Sequence, residues 1–200
     1  MRLKPAALFA GDAVETKRAE ALAAIDLYVS RLSSARLDDP ATPAVVAEQC
    51  LPRPPRLGGE IRFRAFEAEL MERAGVARPR EGWGALLELT VPFSGSRNFF
   101  TLRSGAVPLA PPRAVIGRGS LELTASTLGG DADRLVDQLD EQLDVVRREL
   151  EDQRRRCEAM RDELVEGAQR AVDNRKRRLA ILRSASRTLI GRGWRLRESR

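Results

Sequence analysis

The clearest pattern in the chain is a coiled-coil spacing of apolar residues in a run of sixty residues without proline, from Asp131 to Ile190. The apolar stripe runs from Val136 to Leu164 and then slips by one residue, and the run's single glycine, Gly167, lies beside this slip. A change of register is either an irregularity in a continuous rod or a corner where the chain reverses. We favour the corner, because a hairpin buries both stripes within one chain. The pattern therefore predicts a long antiparallel helical hairpin.

Shorter patterns precede this run. Asp12 and Glu15 have the spacing of a capping box, and the apolar positions after them predict a helix over about 13–37. Prolines at 52, 54 and 55 predict an extended connector. The period then changes to two, most plainly over 87–93, which predicts a half-buried strand. Further strands are predicted over 98–103 and 121–124, with glycine-serine hairpin loops at 94–96 and 117–120, whereas the pattern over 60–70 suits either a strand or a helix.

These elements predict an α+β fold in four segments. Residues 1–59 form an N-terminal helical segment and its proline-rich connector, and residues 60–128 form a small antiparallel β-rich domain. Residues 131–190 form the helical arm or hairpin, and residues 191–200 form a basic tail. Three or four strands cannot remain stable with one bare apolar face, so we expect a helix to cover the sheet.

Composition excludes several kinds of enzyme. None of the 200 residues is histidine, which removes Ser-His-Asp and Cys-His catalysis and every metal site with a histidine ligand. Cys50 and Cys157 each stand alone, so the spacing gives neither a zinc knuckle nor a redox pair, and Cys157 falls on the apolar stripe as a small core residue. We expect a protein without catalytic activity, metal or cofactor. A carboxylate-dependent enzyme would need acids from distant segments to converge in one cleft.

Charge is sorted along the helical run. Residues 131–152 carry nine acids and three arginines, whereas residues 170–200 carry eleven basic residues and two acids. In a hairpin these halves lie side by side, which makes intramolecular matching the first interpretation. Phosphate contact is the second, because arginine binds phosphate in a bidentate manner. The candidate contacts to nucleic acid are Arg175, Lys176, Arg177, Arg178, Arg192, Arg195 and Arg197.

The sequence also bears on location. No stretch approaches the roughly 18 apolar residues of a membrane span. The apolar run Pro5 to Ala10 is too short for the core of a signal peptide and is followed by Asp12 and Glu15. We therefore expect a cytoplasmic protein with no membrane partner.

Short motifs follow one another in the later part of the chain: Val91-Pro92-Phe93-Ser94-Gly95, Ala110-Pro111-Pro112, Asp131-Ala132-Asp133 and Gln169-Arg170-Ala171-Val172 before a basic run. Over about residues 45–197 this order resembles a family of uncharacterised bacterial modules that precede a restriction-endonuclease-like nuclease domain or occur alone. The resemblance implies a strand at 60–70 and an intracellular module with a role in defence against foreign DNA. It brings no catalytic residue to this chain, because the resemblance does not reach the nuclease domain.

Two functions follow from these patterns. The first is a non-enzymatic assembly or recognition module whose partner is another protein or a second copy of the chain. The alternative is a nucleic-acid-binding subunit that uses the arginine-rich C-terminal helix and tail. The alternative predicts an affinity whose logarithm falls linearly with the logarithm of salt concentration.

Overall fold

The computed structural model describes residues 5–72, 80–105, 111–128 and 131–195. Helices and an antiparallel sheet together confirm the α+β class. The chain divides into two compact units. Met1–Thr16 and Arg53–Cys157 form the first, here called the sheet unit, and Lys17–Pro52 and Glu158–Arg200 form the second, here called the helical unit. The long C-terminal helical run therefore contributes to both units.

The described part of the sheet unit contains six antiparallel strands. They are β1 (Ala6–Ala7), β2 (Arg56–Leu57), β3 (Arg62–Glu72), β4 (Arg80–Ser94), β5 (Arg113–Ile116) and β6 (Ser120–Thr127). The order across the sheet is β1, β5, β6 and β4, and both β2 and β3 pair with the remaining edge of β4. The predicted strands at 60–70, 87–93 and 121–124 are thus confirmed, and 117–119 form the predicted hairpin loop between β5 and β6.

Alternation along β4 decides which face of the sheet is buried. Val91 and Phe93 are buried, and Val91 lies opposite Leu121 of β6. Leu123, which pairs with Leu89, is also fully buried. The period of two therefore places one apolar face of the sheet in the core, as the sequence predicts.

Helix α4 (Ala132–Ala159) covers this face of the sheet. Asp131 caps it, because a carboxylate oxygen of Asp131 accepts a hydrogen bond from the main-chain N–H of Arg134 at 3.3 Å. The buried stripe begins at Leu135, whereas Val136, the predicted first position, is half exposed. The stripe continues with Leu139, Leu143, Val146 and Leu150, which share a cluster with the sheet residues.

The strand predicted over 98–103 is wrong, because Arg97–Thr101 form a 3-10 helix. Phe99 and Phe100 are consecutive and both buried, and a strand would have turned one of them to the opposite face. Gln153 of α4 fixes this turn: its side-chain Nε2 donates to the carbonyl oxygens of Phe99 at 3.1 Å and Leu102 at 2.6 Å. Residues 94–96 consequently lead into a helical turn and form no hairpin loop.

The helical unit contains α1 (Thr16–Val29), α2 (Ser34–Asp38), α3 (Thr42–Cys50) and α5 (Arg161–Gly191). The single helix predicted over 13–37 is therefore divided. Ser33 begins α2 by accepting a hydrogen bond from the N–H of Arg36 at 3.4 Å. The predicted capping box is absent as well, since Glu15 instead pairs with Arg156 within the sheet unit.

The core of the helical unit lies where α5 meets α1 and α3. Leu164 and Ala168 of α5 are fully buried together with Ile25 of α1 and Val46 of α3. Met160 separates α4 from α5, seven residues before the predicted corner at Gly167. The buried part of the α4 stripe packs against the sheet, and the buried part of the α5 stripe packs against the short helices of its own unit.

Candidate interaction site

Helix α5 has a covered half and an uncovered half. In its first half Leu164, Ala168 and Val172 are buried against the short helices of the unit. Gly167 permits close packing there, because a Cβ at this position would lie 2.7 Å from Cδ2 of Leu22 in α1. The glycine that was predicted to mark a corner therefore has a packing role in the middle of a helix.

Arg175 marks the end of the covered half. Its guanidinium donates to the main-chain carbonyl of Val29, the last residue of α1, at 2.6 Å and to that of Leu32, just beyond the helix, at 2.7 Å. Carbonyls at a helix C-terminus have no partner within the helix, and an arginine satisfies them with a favourable charge. The Nε atom of Arg175 is buried without a hydrogen-bond partner. Arg175 was predicted to contact nucleic acid, but its hydrogen bonds give it a structural role.

The packing of the short helices against α5 ends at Leu179, although large apolar residues continue along the helix. Leu179 is partly buried in the core cluster, whereas five large apolar side chains beyond it are exposed. Their exposed fractions are 68% for Ile181, 62% for Leu182, 44% for Leu189, 54% for Ile190 and 66% for Trp194. Scattered single apolar residues are normal on a protein surface, but a concentration of large ones at one helix end indicates a contact surface.

The end of α5 is fixed by a Schellman motif. The N–H of Trp194 donates to the carbonyl of Leu189 at 3.0 Å, and the N–H of Gly193 donates to that of Ile190 at 2.9 Å. Gly193 has a φ of +86°, which glycine adopts without the steric cost that other residues incur. The motif holds the backbone of Trp194 at the helix end, so this aromatic ring is attached to a defined structure rather than to a loose tail.

Every charged residue from Asn174 to Arg195 is basic, and there are eight of them. Five have partners within the helical unit. Besides Arg175, Lys176 pairs with Asp38 at 3.4 Å, Arg183 donates to Ser34 at 3.1 Å, Arg177 donates to Asn174 at 2.5 Å, and Arg187 donates to the carbonyl of Arg183 at 3.5 Å. Among the residues that the structure describes, the side chains of Arg178, Arg192 and Arg195 have no hydrogen-bond or ion-pair partner. The surface after Leu179 is therefore both apolar and strongly basic.

The predicted nucleic-acid contacts are thus distributed unevenly. Lys176, Arg177 and Arg178 are exposed on the middle of α5, and Arg192 and Arg195 are exposed at its end. Arg197 lies outside the described residues. The sequence analysis missed the uncovered apolar residues, because it assigned the whole stripe to a hairpin. The exposure follows from the lengths of α1, α2 and α3, which are too short to cover a helix of 31 residues.

Other chemistry is sparse in the part of the chain described. Neither Cys50 nor Cys157 forms a disulfide, and no three His, Cys, Asp or Glu side chains there are grouped as metal ligands. Burial raises the pKa of the Cys50 thiol above its ordinary value. No helix within the described ranges combines the length and the apolar character needed to cross a bilayer.

Comparison with known proteins does not assign the chain to a family. No protein-family model, curated protein or solved structure matches it. The resemblance to bacterial modules beside restriction-endonuclease-like domains therefore stays a prediction that rests on the short motifs quoted for it.

Proposed function

We propose that the protein is a non-enzymatic assembly module of a cytoplasmic complex, and that the half of α5 after Leu179 docks a partner protein. The observation that carries this proposal is the concentration of exposed apolar side chains at the end of α5: Ile181, Leu182, Leu189 and Ile190 on the helix and Trp194 just after it. A helix of this kind binds by laying its apolar side into a groove. The role in defence against foreign DNA belongs to the proposal as well, and the family resemblance is its sole support.

The charge of this surface specifies the partner. A second copy of α5 would bring its basic residues against those of the first, because residues 174–195 contain no acid. The complementary partner is a protein with an apolar groove and an acidic rim. If a partner buries three of these five apolar side chains, the burial contributes roughly 5–9 kcal/mol. Association itself costs about 4–15 kcal/mol. The two ranges overlap, so the basic residues are needed for useful affinity.

Affinity purification from the organism that encodes the chain tests this proposal. We expect L182E/L189E to lose a specific protein that copurifies with the wild type, because a carboxylate at either position cannot enter an apolar, acid-rimmed groove. The matched control is L27E/V45E, since Leu27 and Val45 are 55% and 50% exposed on α1 and α3 of the same unit. An identical set of copurifying proteins from both double variants would contradict docking through α5.

A nucleic-acid-binding function is the second candidate. Its support is the set Arg178, Arg192 and Arg195, whose side chains have no partner within the described ranges and are free to bind phosphate. It predicts that replacing these three residues with glutamine reduces the salt slope of binding by about one unit per lost contact. Arg175 is left intact in this test, because its replacement would disturb the carbonyls after α1. If the triple variant bound duplex DNA as tightly as the wild type, contacts from these three arginines to phosphate would be excluded.

A further inference from the structure

Strand β3 carries exposed side chains on the same face of the sheet as α4. Successive side chains of a strand point to opposite faces, so the odd-numbered residues of β3 share one face. Odd-numbered residues of β4 lie opposite them, as in the pairs Phe63 with Leu89 and Ala65 with Leu87. Leu87 and Leu89 pack against the core beneath α4, which identifies the face. We call its exposed part the acidic sheet surface, which consists of Phe63, Ala65, Glu67 and Glu69 of β3 with Trp83 and Ala85 of β4.

Two aromatic rings stand at the ends of the acidic sheet surface. Phe63 is 74% exposed and Trp83 is 72% exposed. Trp83 lies opposite Glu69, six residues along β3 from Phe63, so the two rings are about 20 Å apart along the strands. Ala65 and Ala85 lie between them and are exposed as well. An α-helix is about 10–12 Å wide with its side chains, so the alanines leave room for one helix between the rings.

The charge of this surface comes from two carboxylates. Glu67 and Glu69 are exposed, and neither has a hydrogen-bond or ion-pair partner among the described residues. The arginines of β3 lie on the opposite face of the sheet, where Arg64 pairs with Glu88. The acidic sheet surface therefore combines exposed apolar groups with negative charge that is free to meet a cation.

The side of α5 that carries Leu182 and Leu189 has the complementary character. These leucines are seven residues apart, which places them on one side of the helix. Arg178 precedes Leu182 by four residues and Arg192 follows Leu189 by three, so both arginines lie on that side too. Neither arginine has a partner among the described residues, and the same holds for Arg195 just after the helix. This side of α5 is therefore apolar, with free positive charge at both ends.

The two surfaces fit each other in both properties. Docking through α5 requires a partner that is apolar and acidic, and the acidic sheet surface has this composition. Both surfaces are exposed within one chain, so the sheet of one copy can receive α5 of another. A contact between two different patches of the same chain is heterologous, and repetition of it forms a ring or a chain of copies.

We propose that the second half of α5 docks on the acidic sheet surface of a second copy. In this contact Glu67 and Glu69 of the sheet lie beside Arg192 and Arg195, and the two leucines of α5 pack between the exposed aromatic rings. This inference rests on the docking function proposed above for α5 and names the partner of that surface. It is tested with the purified chain, without any extract.

Sedimentation velocity of the purified full chain tests the contact by charge reversal. The wild type is expected to exceed the 22.2 kDa of one chain, with an average mass that rises with concentration. E67R/E69R and R192E/R195E are each expected to associate at least about tenfold more weakly, because like charges then meet. An equimolar mixture of the two variants is expected to regain association, since opposite charges meet again between unlike copies.

E158R/E166R is the matched control. It makes the same change of charge as E67R/E69R at two exposed glutamates of the helical unit that lie outside both surfaces. It is expected to associate as tightly as the wild type. Circular dichroism checks the folding of each variant, and either charge reversal carries the test by itself if the other variant does not fold.

Three results would overturn this contact. These are a wild type that is monomeric at about 100 μM, a reversal variant that associates as tightly as the wild type, and a mixture that associates no better than its components. A monomeric wild type leaves docking of a different protein through α5 standing, because that interaction is measured against proteins of the cell. E67R/E69R separates the two interactions further, since it leaves α5 intact and is expected to lose only the second copy.

Discussion

The guanidinium of Arg175 in α5 donates a hydrogen bond to the main-chain carbonyl of Val29, which ends α1, at 2.6 Å. A second bond, 2.7 Å long, goes from the same side chain to the carbonyl of Leu32. A basic residue in an arginine-rich segment is thus used to complete the fold of the helical unit. Its neighbours Lys176, Arg177 and Arg178 are exposed, and among the described residues Arg178 alone of the three has no partner.

R175M is expected to destabilise the helical unit by about 1–3 kcal/mol, because two carbonyls lose a charged donor that methionine cannot replace. Urea unfolding followed by far-UV circular dichroism measures this loss. R178M is the matched control: Arg178 is exposed, and its replacement is expected to change the free energy of unfolding by no more than about 0.5 kcal/mol. Equal urea midpoints for R175M and R178M would contradict the structural role of Arg175.

Q153L tests the polar contact inside the sheet unit. Gln153 is fully buried, and its Nε2 serves the carbonyls of Phe99 and Leu102. Leucine has a similar volume but no donor, so we expect a loss of about 1–3 kcal/mol. Thermal unfolding measures this loss. A more stable Q153L would mean that an apolar residue is the better choice at this position, since Oε1 of Gln153 is itself buried without a partner.

G167V is expected to destabilise the helical unit by about 1–3 kcal/mol, because valine must displace Leu22 from its position 2.7 Å from the Cβ site. The same substitution in the L22A background is expected to cost less, as the displaced side chain is then absent. G191V serves as the control, since no atom lies within 4 Å of its Cβ position. Identical costs at 167 and 191 would contradict close packing at Gly167.

Alkylation of Cys50 should show the effect of its environment. Burial raises the pKa of this thiol above its ordinary value of 9.0, so less thiolate is present in the folded chain at pH 8. In a C157A background, iodoacetamide is expected to react more slowly with the folded chain than with the urea-unfolded chain. Because the pKa is raised, the associated stability is complete below pH 9 and is lost as the pH rises through the folded-state pKa. Equal labelling rates would be inconsistent with this burial.

Periodicity in the sequence was sufficient for the main elements of the fold. The alternation over Leu87 to Phe93 predicted β4, and the heptad spacing predicted the helices α4 and α5. It failed where a nonlocal contact decides the conformation, as at Phe99 and Phe100, which Gln153 holds in a helical turn. Sequence spacing alone does not show which side chain will reach a distant carbonyl.

The candidate site was harder to predict for a related reason. Arginine content identified the basic part of α5, but the same pattern could not separate Arg175, which is bonded to carbonyls, from Arg178, which is free of partners in the described chain. Exposure of Leu182 and Leu189 depends on where the short helices end, which no local pattern in α5 records. The apolar stripe therefore predicted burial at positions that the structure leaves open.

Photocrosslinking in the cell tests the central claim, docking through the second half of α5, most directly. A photoreactive amino acid is placed at Leu182, with Arg170 as the control position because it is exposed on the first half of the same helix. We predict one discrete protein adduct from position 182 that nuclease treatment leaves unchanged and that position 170 does not give. No adduct at position 182, or an adduct that nuclease digests, would contradict the claim.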